Sequence, residues 1–268
     1  MSKTFLTVLL SATLMTSGPL AAQDADDWDF GRAPDQDATI AAVTFDTMGV
    51  AVRCMGDSLS VLLSGMPAGS GERPIRVAIG DGPEQEGMWV SARDSGTLFA
   101  VWPRGYATDL ARGGQLRISV PDGSTSVRYA VDLPRSEAAI AQVFQACGQS
   151  LDQGSDRSPS GVSMAGLNWL NPPEINFPGQ SRYEGGIAAL ICTTRSDGRL
   201  EDCSIESEFP AASGFGRASA RGAHRTGRVE AVDGGDADIG GRRIAFLTRF
   251  STNFTPRSDL PTRIPGRN

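Results

Sequence analysis

A chain of 268 residues with 31 acidic against 25 basic side chains has a formal charge of −6, which argues against nucleic acid as a partner, since that needs a concentrated basic face. A single histidine, His224, leaves any Ser-His-Asp or Cys-His triad one candidate base, and no G-x-S-x-G turn accompanies it. Walker A, G-x-G-x-x-G and H-E-x-x-H patterns are absent as well, so no catalytic residue, metal or cofactor is assigned and the expectation is a protein that binds.

In chain order, Lys3 supplies the one early positive charge, residues 5–16 form a mostly apolar run, and Leu20-Ala21-Ala22 offers a small-residue cleavage site. This is the pattern of a secretory signal over residues 1–22. An uncleaved anchor is the rival reading, but about a dozen apolar residues fall short of the roughly 20 a spanning helix needs. Removing the leader leaves 246 residues (268 less 22), with 24 arginines against 31 acids, or −7. No later stretch is long and apolar enough to cross a bilayer, the expected address is the periplasm, and the length suits two domains.

Residues 23–148 read as a mostly-β sandwich. Short strands are expected at 40–46, 49–55, 59–63, 75–79, 88–92, 98–102, 116–120 and 127–131, broken by Gly, Pro and Asp. A helix closes this domain: Pro134 precedes it, Ser136 is placed to cap it, Glu137 suits its positive end and Gly148 stops it. Ile140, Val143, Phe144 and Cys147 fall on one stripe of that helix, while Val50, Val52 and Cys54 share one strand face. Both sulfurs therefore point inward, which favours a Cys54 to Cys147 bridge over two buried thiols in an exported chain.

Residues 149–166 are Gln, Ser, Asp and Gly with hardly a bulky apolar side chain, which is linker composition. The domain over 167–255 then opens with an aromatic and proline segment, followed by strands at 187–193 and 199–206 around Asp197-Gly198, a strong hairpin signal. A two-residue loop there sets Leu190 opposite Ile205 and Cys192 opposite Cys203, the second bridge expected; a longer turn shifts the pairing by a residue. A small-residue helix over 214–226, a long loop and a last strand over 243–250 follow, and residues 256–268 read as a flexible tail. The class expected is α+β overall, with the second domain a small two-layer α+β unit.

Three further features are candidates for chemistry. Arg217, Arg221, Arg225 and Arg228 recur at near-helical spacing, a basic stripe able to meet phosphate or carboxylate, or a solvated face balanced by acids such as Glu206 and Glu208. Asp233, Asp236 and Asp238 sit in a Gly-rich loop where a hard cation is conceivable, but without EF-hand spacing, so a plain solvated loop is favoured. Trp28, Trp89, Trp102 and Trp169 suggest either a carbohydrate platform or, for Trp89 and Trp102 on strand-like segments, core.

The second domain resembles the C-terminal domain of TonB, the energy transducer that reaches outer-membrane receptors. The resemblance rests on Pro173, Phe177-Pro178, Gly185-Gly186, Asp197-Gly198, Leu200, Asp202-Cys203, Glu208, Gly214-Phe215-Gly216, Ala218, Ala220 and the strand through Phe250. The paired cysteines resemble a variant found in exported alphaproteobacterial proteins, and the first domain is similar to exported proteins of the invasion-associated locus B type through Val143-Phe144-Gln145-Ala146-Cys147. The TonB resemblance implies capture of an extended peptide, from an envelope protein or outer-membrane receptor, by strand addition along Arg243, Ile244, Phe246, Thr248 and Phe250. TonB itself has a membrane anchor and Pro-rich spacer where this chain has a leader and a globular domain, so force transmission is not expected. An envelope-polymer hydrolase using paired carboxylates and a purely structural envelope scaffold are the alternatives.

Overall fold

The computed structural model describes residues 28–151, 164, 166–179, 181–232 and 238–252. Residues 1–22, expected as a leader, most of 149–166, expected as a linker, and 256–268, expected as a tail, lie outside the described residues. In the first half β1 (Asp29–Ala33) and a 3-10 turn (Pro34–Gln36) lead into β2 (Ala38–Thr44), β3 (Gly49–Met55), β4 (Ser58–Ser64), β5 (Gly69–Ile79), β6 (Gln85–Ser95) and β7 (Leu98–Ala100). Helix α1 (Pro103–Arg112), strands β8 (Gly114–Asp122) and β9 (Thr125–Leu133) and helix α2 (Glu137–Ala146) complete it. The second half comprises β10 (Leu167–Asn171), β11 (Gly185–Thr194), β12 (Leu200–Phe209), α3 (Phe215–Thr226), β13 (Arg228–Ala231) and β14 (Arg243–Ser251).

The α+β class is corrected by this inventory: fourteen strands against three α-helices make the described chain mostly β. The sandwich is corrected too. All nine strands of the first half join one antiparallel sheet in the order β1-β2-β3-β4-β7-β6-β5-β8-β9. Single-face alternation, as in β3 where Val50, Val52 and Cys54 are buried, fits a strand facing a second sheet or one facing helices equally well. Here helices fill the hollow: Ile140, Val143 and Phe144 of α2 and Ala107 and Leu110 of α1 share one core with Val52, Val61, Val77 and Ile118. The sheet curls around them, and Trp28 Nε1, beside the first strand, donates to Pro134 O, beyond the last, at 2.9 Å.

The strand expected over 98–102 is present as β7 but ends at Ala100, and helix α1 follows it in a stretch to which no element was assigned. Pro103 at its first turn needs no backbone donor there, and Gly113 ends it with φ 71°. In α2 Ser136 holds the N-cap position but its side chain makes no cap hydrogen bond. The Cys54–Cys147 disulfide ties α2 to β3 across a Cα separation of 5.6 Å.

In the second half β11 is central in the order β12-β11-β14, and β10 pairs separately with β13. Leu190 opposes Ile205, then a bulge near Asp202, whose φ is 47°, shifts the register so that Thr194 opposes Leu200. Cys192 and Cys203 are bonded at a Cα separation of 4.0 Å. One face of this sheet, through Ala188, Leu190, Cys192, Ile244, Phe246 and Phe250, buries α3 at Phe215, Ala218 and Ala223. The other face, through Ile187, Ala189, Phe209 and Leu247, packs on Met88, Val90, Phe99, Val101 and Trp102 of the first half. Central β11 is thus buried on both faces, which accounts for its continuous apolar run.

Polar contacts cross this seam. Arg104 of α1 holds buried Glu206 of β12 in a two-pronged pair, at 2.7 Å to Oε1 and 3.2 Å to Oε2. Ser207 Oγ donates to Val101 O at 2.5 Å, the Glu208 N–H donates to Ser58 Oγ at 3.1 Å, and Arg249 of β14 pairs with Glu72 of β5. Among the described residues no helix is long and apolar enough to cross a membrane.

Candidate functional site

Strand β14 pairs with β11 along its whole length, from Thr193 opposite Arg243 to Gly185 opposite Ser251. It is terminal in its sheet, and no other described strand pairs with it. Of the residues assigned to the binding edge, Arg243 is exposed, while Ile244, Phe246, Thr248 and Phe250 are buried toward α3. Phe250 stacks on Phe215 with ring centroids 4.3 Å apart, and Phe177 meets both rings edge-on. Thr248 Oγ1 shares a 2.6 Å hydrogen bond with Ser219 Oγ, itself bonded to Phe215 O. These side chains hold the strand in place, so what β14 offers a visitor is its main chain.

Arg217, Arg221 and Arg225 are exposed on α3, whereas Arg228 lies beyond the helix in β13. Arg225 donates to Glu174 O at 2.9 Å and Arg228 to Asp197 O at 3.1 Å, which ties the far end of the stripe to backbone. The acids expected to balance it are buried and held by other partners. Glu206 belongs to Arg104, and the Glu208 carboxylate accepts the Gly216 N–H at 2.8 Å and Ser213 Oγ at 3.2 Å. It thereby caps α3, whose N-cap residue Gly214 has no side chain for the task. His224 is exposed on the same helix.

In the hairpin turn the backbone N–H of Arg199 holds the Asp197 carboxyl below the usual carboxylate range, against an opposing desolvation and with Arg195, Arg199 and Arg228 adding to the lowering. Burial lowers the Arg53 guanidinium, which lies 5.8 Å from the Phe99 ring centre. Asp233 and Asp236 lie outside the described residues; Asp238 Oδ1 accepts the Gly240 N–H at 2.9 Å.

A cleft not foreseen from the sequence opens on the first half, with a volume of about 430 Å³. Met88, Trp102 and Tyr106 form its apolar wall, the loop from Gly80 to Gln85 one lip, and Asp109 and Arg112 of α1 the other. Tyr106 lies against Trp89, ring centroids 5.1 Å apart. Its hydroxyl occupies the space a Cβ at Gly87 would need, 2.1 Å away. Burial raises the Tyr106 pKa; the Trp89 indole N–H approaches the phenol and opposes that shift, without reaching full hydrogen-bond geometry. The phenol is therefore a neutral hydrogen-bonding group at ordinary pH. Trp28, Trp89 and Trp169 are buried, and Trp102 alone of the four is partly open, its ring shared between the cleft and the seam. Composition at 80–87, rich in Gly and acids, signals a turn; the cleft exists because α1 folds back beside it, a non-local event.

No family model, curated protein or solved structure matches this chain.

Proposed function

We propose that the protein is an exported, periplasmic binding or accessory protein that accepts an extended peptide by strand addition along β14. The partner is an envelope protein, with the periplasmic end of an outer-membrane receptor as the class implied by the likeness to TonB. The observation that supports this reading is the place of β14: nine residues long, last in its sheet, with side chains buried on both faces. A terminal strand held this firmly is a template for main-chain pairing. Because its side chains are occupied inside, affinity rests on backbone hydrogen bonds and sequence selectivity is modest. Two disulfides in the described chain suit an oxidising compartment.

The test is titration of isotope-labelled protein with peptides copying the periplasmic ends of outer-membrane receptors. Amide shifts concentrated along residues 243–251 are expected. Shifts confined to other surfaces, or none, reject the reading.

A further inference from the structure

The cleft between the β5–β6 loop and α1 has the size of a small-molecule site, about 430 Å³, within the range such sites occupy. Its wall is aromatic and apolar, through Trp102, Tyr106 and Met88. Its rim is acidic, with Asp81, Glu86 and Asp109 against the one cation Arg112. Arg112 is already committed, donating to Asp109 Oδ1 at 2.8 Å. Asp81 and Glu86 stand exposed and have no ion-pair partner among the described residues. An aromatic wall below carboxylates that are outside any ion pair is complementary to an apolar body that carries a positive charge, since aromatic rings and acids can attract the same sign. An anion of the same shape is disfavoured at this mouth, where the one lining cation, Arg112, is paired with Asp109.

We propose that this cleft binds a small organic cation, an aryl- or alkylammonium compound, with its body against Trp102 and Tyr106 and its charge toward Asp81 and Glu86. The cleft mouth at Asp81 and Glu86 lies apart from β14, although the far side of Trp102 packs on Ala245 of that strand, so the carboxylate variants test the cleft without touching the strand-addition edge.

Benzyltrimethylammonium chloride is the probe, with sodium benzenesulfonate as the ring-matched anion. Binding to the exported chain is followed by calorimetry and by tryptophan fluorescence, to which Trp102 contributes. The cation is expected to bind saturably, with a dissociation constant of about 1 mM or tighter, and the sulfonate not to bind. The double variant Asp81→Asn/Glu86→Gln changes only exposed side chains and is expected to weaken the cation about tenfold. Asp132→Asn, on the exposed face of β9, should leave affinity unchanged. Equal binding of both probes, no saturation by about 10 mM cation, or an unaltered affinity in the double variant overturns the proposal.

Discussion

A Cβ at position 186 would lie 2.1 Å from the Phe209 carbonyl oxygen and 2.6 Å from Phe215 Cε2. Gly186 is therefore the residue that lets β11, β12 and the Phe177-Phe215-Phe250 cluster close on one another. Gly186→Ala is expected to destabilise the fold by about 1 to 3 kcal/mol, as an overpacked core does, measurable as a lower urea midpoint at unchanged slope. Asp197 acts at the same scale but through charge. Its folded-state pKa is lowered, so its contribution is present above the ordinary value of 3.8 and is lost as pH falls through the lower folded value. In acid titrations followed by amide shifts of residues 195–199, Asp197→Asn should remove the transition in that turn and leave the central β11 amides unmoved.

Among elements, α1 and β12 are joined by a buried ion pair. Removing one partner strands the other charge, and Glu206→Ala is expected to cost about 3 to 5 kcal/mol in chemical unfolding. Replacing both, Arg104→Met with Glu206→Leu, should restore most of that loss, because a well-packed apolar pair avoids the desolvation of two charges. Elements were legible in the sequence where one short-range signal decided them. Alternating Val50, Val52 and Cys54 marked β3, and Asp197-Gly198 between apolar runs marked the β11–β12 hairpin with Leu190 opposite Ile205. The bulge at Asp202 was not, because it depends on one backbone angle. Helix α1 was missed since Pro103-Arg104-Gly105 reads as a turn until the buried face of Ala107, Leu110 and Ala111 has something to pack on.

Across the whole molecule, the choice between two facing sheets and one curled sheet rests on which strands neighbour each other at long range, and local alternation carries no such information. The same limit hid the cleft, whose walls come from residues 77–88 and 102–113. Cysteine placement did reach across the chain, because a sulfur on an inward stripe has few partners to choose from. The two bridges should differ in weight: in the chain-entropy model the 93-residue separation of Cys54 and Cys147 contributes about 4 to 5 kcal/mol, and the 11-residue separation of Cys192 and Cys203 about 3. Comparing Cys54→Ser/Cys147→Ser with Cys192→Ser/Cys203→Ser by guanidinium unfolding should show the larger loss in the first pair.

The long bridge also spans the exposed Asp81 to Gln85 segment at the mouth of the cleft. A protease that nicks the chain there leaves two polypeptides that travel as one band on a gel until reductant is added. Cleavage at this point therefore goes unseen on a non-reducing gel and shows in intact mass only as one added water.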